Sequence, residues 1–208
     1  STAVSQRRQR HNPADPGRVV LAVSQLRVRD EHGIATVDGL DLTVGAGEVL
    51  GIAGVAGNGQ RPLADAIAGL IFPESGSVTL SGSDLSSAGP KARIAAGLSY
   101  VPEDRLGVGL APKLSVTENA MMRSYGSAGS GPLVDWSRAK KQAQALVEEY
   151  AVKIGGLDRP IAGLSGGNLQ RLLVGRELAT EPTVVVAAQP TRGLDVQGVK
   201  AIQEVLIA

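Results

Sequence analysis

Apolar and polar positions alternate along Val19 to Val28 and again along Ile34 to Val44, which predicts two antiparallel strands joined around Asp30 to Gly33. Past Gly45 and Gly47 the pattern changes. Val49 to Ala53 is a short, nearly continuous apolar run, as expected of a strand covered on both faces. It leads into Gly54, Gly57 and Gly59, then into a helical pattern from Pro62 to Leu70 with proline in the first turn, where its missing N–H costs nothing. A strand, a glycine-rich turn and a helix in succession open a phosphate-binding α/β domain. Ser77 to Leu80 and Leu98 to Val101 predict further short strands. Ser115 and Glu118 form a capping box ahead of Asn119 to Tyr125, and Asp135 or Ser137 can cap a helix from Arg138 to Val152. A helix from about Asn168 to Ala179, a buried strand from Thr183 to Ala188 and a helix from Val196 to Ala208 complete the pattern.

Two stretches carry no such periodicity. Ser1 to Arg18 holds Arg7, Arg8, Arg10, Pro13 and Pro16 with little to bury, and reads as a disordered linker. Ser124 to Pro132 is rich in Gly and Ser and is expected to be mobile.

Composition narrows the chemistry. A chain of 208 residues suits one globular domain, and zero cysteine removes disulfide scaffolds, thiolate zinc sites and cysteine nucleophiles together. With 21 Lys+Arg against 20 Asp+Glu and 2% aromatics, the chain has neither a general attraction for nucleic acid nor many platforms for stacking bases, so no nucleic-acid partner is expected. No apolar run approaches the roughly 18 residues that cross a bilayer. His11 and His32 lack metal-ligand partners at helical spacing and read as solvated. Trp136 and Tyr150 are expected to pack among the helices, and Glu148-Glu149 to form a solvated face. The 27 glycines are the unusual figure, and their positions matter more than their number.

One cluster of them lies in Leu164-Ser165-Gly166-Gly167-Asn168-Leu169-Gln170-Arg171. A Ser-Gly-Gly turn opening a helix aims backbone N–H groups and the positive helix end at one point, which suits a phosphate. Alone, the tetrapeptide is equally an ordinary helix cap. It is accompanied, however, by the Gly54 to Arg61 turn upstream and by Val184-Val185-Val186-Ala187-Ala188-Gln189-Pro190-Thr191 and Gly193-Leu194-Asp195 downstream.

In order and spacing, these motifs resemble the ATP-binding cassette of ABC transporters over Val19 to Ala208: Walker A, Q-loop, Leu-Ser-Gly-Gly signature, Walker B and D-loop. Val101-Pro102-Glu103-Asp104-Arg105, Asn168 and Gln189 to Asp195 are similar to the carboxy-terminal cassette of double-cassette ATPases that drive bacterial simple-sugar and nucleoside importers. The resemblance implies an α/β P-loop NTPase fold with a RecA-like parallel-sheet core, an antiparallel β-subdomain, and a helical subdomain over about Gly107 to Ala179. It makes residues 19–208 the nucleotide-binding domain and residues 1–18 an inter-cassette linker. The family's switch histidine follows a further strand beyond Asp195, so the resemblance also implies a carboxy-terminally truncated cassette.

The departures from the family pattern are specific. A working Walker A ends in Lys and a hydroxyl residue, where Lys reaches the β/γ-phosphates and the hydroxyl binds Mg²⁺. In the nucleotide-binding turn Gly54, Gly57, Asn58, Gly59, Gln60, Arg61, Pro62 these two positions are Gln60 and Arg61. The Walker B Asp and Glu positions are Ala188 and Gln189, and the Q-loop glutamine aligns with Glu103. Arg61 and Ala188 remove both protein groups that hold the metal, so poor Mg²⁺ binding is expected, and Gln189 cannot accept a proton, so no catalytic base remains. Backbone N–H groups survive side-chain loss, which leaves weak binding of ATP or ADP without efficient hydrolysis; an empty, structural site is the other reading.

The signature Leu164, Ser165, Gly166, Gly167, Asn168 and Gln170 is intact. Since cassettes of this family pair head to tail, the resemblance implies that it completes the ATP site of a partner cassette in the same polypeptide, with Asp195 as D-loop. Transmembrane permease subunits, an indirect link to an extracellular solute-binding protein, and a place at the cytoplasmic face of the membrane are implied likewise. The transported compound stays open between sugar and nucleoside. Two alternatives also stay open: a self-sufficient ATPase using Glu103 as an unorthodox metal ligand, and a non-transport regulatory cassette.

Overall fold

The computed structural model describes residues 5–10, 17–55, 57–124 and 134–207. The chain divides into two compact units, Ser1–Tyr100 with Thr183–Ala188 and Ile207, and Val101–Pro182 with Gln189–Leu206 and Ala208.

The first unit runs β1 (Ser5–Arg10), β2 (Val19–Arg29), β3 (Ala35–Gly45), β4 (Glu48–Ala53), α1 (Gln60–Ala68), β5 (Ser75–Leu80), β6 (Ser83–Asp84), α2 (Pro90–Ala95) and β7 (Leu98–Val101), with β8 (Val184–Ala187) joining from further along the chain. The expected hairpin is present: Asp30 accepts hydrogen bonds from the N–H groups of His32 and Ile34, both at 2.9 Å, and so shapes the turn between β2 and β3. Those strands belong to a four-stranded sheet of order β3-β2-β5-β6, whose three pairings are antiparallel. Simple alternation fails at Gln25, where φ is 48° and the register shifts between Val23 and Leu26. This bulge lets Val23 and Leu26, three residues apart, both turn into the core. Asp41 fixes it by accepting from the Gln25 N–H at 2.8 Å and from its side-chain amide. Leu63, Ala66, Ile67 and Ala68 of α1 share a core with Val78, Leu80, Leu98 and Val184.

Arg93 of α2 is fully buried, and sequence gave no sign of it. Its guanidinium donates to the carbonyls of Ala66 at 2.9 Å and Ile67 at 2.7 Å, which end α1, and to those of Ala88 at 2.9 Å and Leu85 at 2.7 Å. Desolvation lowers its pKa and the charge of Asp84 opposes the shift. A buried cation satisfying this many carbonyls stabilises chiefly because its removal strands them. Arg93→Met is therefore expected to lower the unfolding free energy by about 3 kcal/mol, read from the denaturant midpoint at constant slope.

Ser5–Arg10 was assigned to a disordered linker, but it forms β1, antiparallel to β4 with Ser5 opposite Ala53 and Arg10 opposite Glu48. Edge pairing uses main-chain groups, which a polar sequence supplies as readily as an apolar one. Residues 1–4 and 11–16, including His11, lie outside the described residues. The strand expected to be covered on both faces is β4, yet Val49, Gly51, Ile52 and Ala53 are exposed and only Leu50 packs against the core. An apolar run specifies a strand, whereas the number of covered faces depends on layers distant in sequence. Likewise, Thr183 to Ala188 becomes β8, paired with β7, of which only Val184 is fully buried. Among the described residues β4 pairs with β1, and β7 with β8.

The second unit contains a π-helical turn (Arg105–Gly109), α3 (Val116–Met121), α4 (Trp136–Glu149), a short 3₁₀ turn (Ile161–Gly163), α5 (Gly166–Leu178) and α6 (Val196–Ile207). The expected capping box starts α3 directly after Ser115, whose hydroxyl accepts from Glu118 N–H at 3.2 Å while its own N–H donates to the Glu118 carboxylate at 2.7 Å. Asp135, rather than Ser137, caps α4 by accepting from Arg138 N–H at 3.0 Å. Leu172, Leu173 and Val174 centre the core, with Ile161, Val116, Leu146 and Ile202 around them. Tyr150 packs as expected, so close that a Cβ on Gly175 would lie 2.7 Å from its ring. Trp136 does not: it stands at the start of α4 and is 51% exposed. A first-turn position projects beyond the packed face, which here is carried by Ala139, Ala143, Leu146 and Val147. The Gly/Ser-rich stretch from Tyr125 to Pro132 lies outside the described residues, and among those described no helix is long and apolar enough to cross a membrane.

Candidate functional site

The phosphate-type turn lies between β4 and α1 in the first unit. Gly57 and Gly59 hold φ of 89° and 92°, the left-handed region that glycine alone enters cheaply. A Cβ on Gly59 would also lie 2.1 Å from the Thr36 carbonyl oxygen, so this position tolerates only glycine. The helix begins at Gln60, two residues before the sequence pattern indicated, with Asn58 N–H donating to Val55 carbonyl at 3.1 Å. Pro62 supplies no N–H, so the first turn of α1 offers one amide donor fewer than a non-proline sequence.

The side chains of Gln60 and Arg61 are both engaged with their own chain. Gln60 folds back over the turn, and its amide donates to Val55 carbonyl at 3.1 Å. It fills the space beside Gly54, where a Cβ would meet that amide nitrogen at 2.3 Å. Arg61 pairs with Asp65 one turn along the helix at 3.5 Å while its side chain stays 64% exposed. Asp65 is further held by the Tyr100 hydroxyl, which donates at 2.8 Å. Burial, together with this carboxylate, pushes the Tyr100 phenol well above its ordinary range. The turn therefore presents a backbone cradle and one outward guanidinium. Ala188, just past β8, contributes a methyl group and no metal ligand.

The signature turn lies in the second unit and opens α5. Ser165 is the N-cap in extended conformation, and its hydroxyl accepts from Asn168 N–H at 3.5 Å and from the Asn168 side-chain amide at 3.0 Å. The Asn168 carbonyl oxygen in turn accepts from Lys153 N–H at 2.8 Å, so this side chain ties the turn to the loop after α4. Leu164 packs against the core of the unit, and a Cβ on Gly167 would meet nothing within 4 Å. The helix end is thus open above Gly167, where its unpaired N–H groups and partial positive charge favour an anion. Gln170 points elsewhere: it is buried, and its amide nitrogen has no partner among the described residues.

The remaining predicted residues form a cluster in the same unit. Glu103 pairs with the Arg192 guanidinium, and Arg105 donates to the Arg192 carbonyl. Gln189 adopts φ 48°, and its carbonyl accepts from Arg192 N–H at 3.0 Å. Asp195 caps α6 by accepting from Gly198 N–H at 2.7 Å. Neither the pairing of Glu103 with Arg192 nor the bond from Arg105 to the Arg192 carbonyl was legible in sequence, because no local pattern signals contacts across 89 and 87 residues. Nor was the Asp65–Tyr100 bond across 35 residues.

The sequence profile of the ABC transporter family matches residues 37–192. A glucose import ATP-binding protein of Haloferax volcanii is 44% identical over 196 residues, covering 92% of this chain and 36% of that protein. A guanosine import ATP-binding protein of Bacillus subtilis is 39% identical, covering 93% and 38%. A ribose import ATP-binding protein of Burkholderia pseudomallei is 36% identical, covering 94% and 37%. The chain therefore spans little more than a third of these curated relatives. A nucleotide-free ATP-binding cassette from an ABC transporter shares the fold with a TM-score of 0.71 at 19% identity, covering 91% of this chain and 76% of that one. A dimeric post-hydrolysis cassette bound to ADP and Pi gives 0.69 at 20% identity, covering 89% and 81%. The α/β architecture is that of these cassettes.

Proposed function

The chain belongs to the ABC transporter family, and we propose that it is the nucleotide-binding half of an importer motor whose own Walker site is degenerate and whose signature turn completes the ATP site of a partner cassette. The observation that carries this reading is the contrast between the two turns. Gln60 and Arg61 are turned onto Val55 and Asp65, whereas the end of α5 is capped by Ser165 and open above Gly167.

The residues present do not fit a magnesium ion. Ala188 offers no side-chain oxygen, and Arg61 puts a cation where the hydroxyl ligand of the family stands. Gln189 holds no proton-accepting charge near neutral pH. Phosphates fit in part: the cradle of Gly54, Gly57, Asn58, Gly59 and the N–H groups of Gln60 and Arg61 accepts an anion, which makes ATP or ADP a weak ligand. The loss is large, since one donor aimed at developing negative charge is worth about 3 kcal/mol in a site of this kind.

In this reading residues 19–208 form the cassette, with a helical subdomain over about Gly107 to Ala179, and the segment before Val19, whose Ser5–Arg10 pairs with β4, connects it to a first cassette in the same polypeptide. Membrane permease subunits at the cytoplasmic face and an extracellular solute-binding protein complete the importer, and the names of the relatives support a sugar or nucleoside as cargo. Glu103 as an unorthodox metal ligand is disfavoured by its ion pair with Arg192. The 208-residue chain is expected to hydrolyse ATP no faster than buffer, with an ATP affinity that Mg²⁺ changes by less than about twofold and that Glu103→Gln leaves alone. Steady Mg²⁺-dependent hydrolysis that disappears in Gln189→Ala overturns the reading.

A further inference from the structure

We propose that Arg105 is a positioning residue which, with the Glu103–Arg192 pair, holds the signature turn and the 189–195 loop in one arrangement. This inference rests on the trans role proposed for the signature. Arg105 stands in the π-helical turn, and its guanidinium is hydrogen-bonded to the 189–195 loop and lies beside the first turn of α5. One Nη donates to the carbonyl of Arg192, and the same nitrogen lies 3.7 Å from where a Cβ on Gly193 would stand. The other Nη lies 3.2 Å from where a Cβ on Gly166 would stand, at the first turn of α5. Glu103 completes the link by pairing with the Arg192 side chain two residues upstream of Arg105 in the chain.

The positive end of α5 repels a guanidinium, so Arg105 is not drawn to Gly166 by charge. It is held there by its hydrogen bond to Arg192 and by the π-helical turn, in which Leu110 N–H returns to the Arg105 carbonyl at 2.6 Å. Asp104 fixes the same turn by accepting from Gly107 N–H at 2.8 Å. Movement of the 189–195 loop is therefore passed to the signature turn through one planar side chain. The planar guanidinium bonds the loop with one nitrogen and lies against the first turn of α5 with the other, a span that a compact ammonium does not fill. The Glu103–Arg192 pair is largely exposed on its arginine side, so it sets position and adds little stability.

The test uses the two-cassette polypeptide assembled with its membrane subunits, with Ser165→Arg as the control for the trans role. Arg105→Met is expected to lower kcat about tenfold while KM for ATP stays within about twofold and the unfolding midpoint hardly moves, since misplacement by an ångström costs more than this in many sites. Arg105→Lys is expected to recover only part of kcat. Glu103→Arg and Arg192→Glu are each expected to lower kcat and together to recover it. Unchanged kcat in Arg105→Met, alongside a dead Ser165→Arg control, overturns the positioning role and leaves the proposed function standing. A kcat loss matched by a falling unfolding midpoint, with no recovery in the charge exchange, also overturns it. Unchanged turnover in Ser165→Arg overturns both together.

Discussion

Ser165→Arg in the two-cassette polypeptide is expected to reduce ATP turnover at least about 100-fold, because it blocks the end of α5 where the partner's phosphate is to be received. Ser165 supplies the cap of α5, and Gly167 beside it is open, so a side chain of arginine length has room to cover the N–H groups that would meet the phosphate. Loss of the cap alone costs about 1 kcal/mol of helix stability and does not account for such a fall. Ser165→Ala separates the two effects: it removes the cap without filling the space, and a much smaller loss of turnover is expected. The measurement is steady-state hydrolysis by the assembled importer, with the unfolding midpoint of each variant alongside. Equal activity in Ser165→Arg and the parent contradicts the trans role.

The second large effect is a gain. Gln60→Lys, Arg61→Ser, Ala188→Asp and Gln189→Glu introduced together are expected to create Mg²⁺-dependent ATP binding in this cassette, tighter than the parent by about 100-fold. The local structure indicates why all four belong together. Replacing Gln60 leaves the Val55 carbonyl bonded to Asn58 N–H alone, and replacing Arg61 leaves Asp65 bonded to Tyr100 and no longer paired in the helix. Ala188→Asp then supplies the missing oxygen and Gln189→Glu the missing base. Nucleotide titration with and without Mg²⁺ checks the gain. Failure to acquire metal dependence means that the cradle itself is altered, with Pro62 and its absent N–H as the residue to replace next.

Local signals in the sequence were read well. The Ser115/Glu118 capping box, the Asp135 cap and the turn at Asp30 to Gly33 each depend on residues within four positions of one another, and each is present. Boundaries differ by two or three residues: α1 starts at Gln60 after the left-handed Gly59 with no side-chain cap, and α3 at Val116 directly after the Ser115 cap. What escaped was long-range. The bulge at Gln25 depends on Asp41, the end of α1 on Arg93, and the Q-loop position on Arg192. Exposure escaped for the same reason. The apolar run of β4 and the single tryptophan both invited burial, but burial is set by what packs against a face, and no periodicity encodes that. At the candidate site, the identities of Gln60, Arg61, Ala188 and Gln189 are legible in the sequence, and the partners that Gln60 and Arg61 take are not.

In the proposed asymmetric motor, one competent ATP site is built from the Walker motifs of the partner cassette and the signature turn of this one. Its most direct test is the number of nucleotides trapped with Mg²⁺ and vanadate per two-cassette polypeptide during turnover. One trapped nucleotide per polypeptide, lost in Ser165→Arg, is the predicted result; two, with one of them lost when Gln189 is replaced by Ala, contradicts the account.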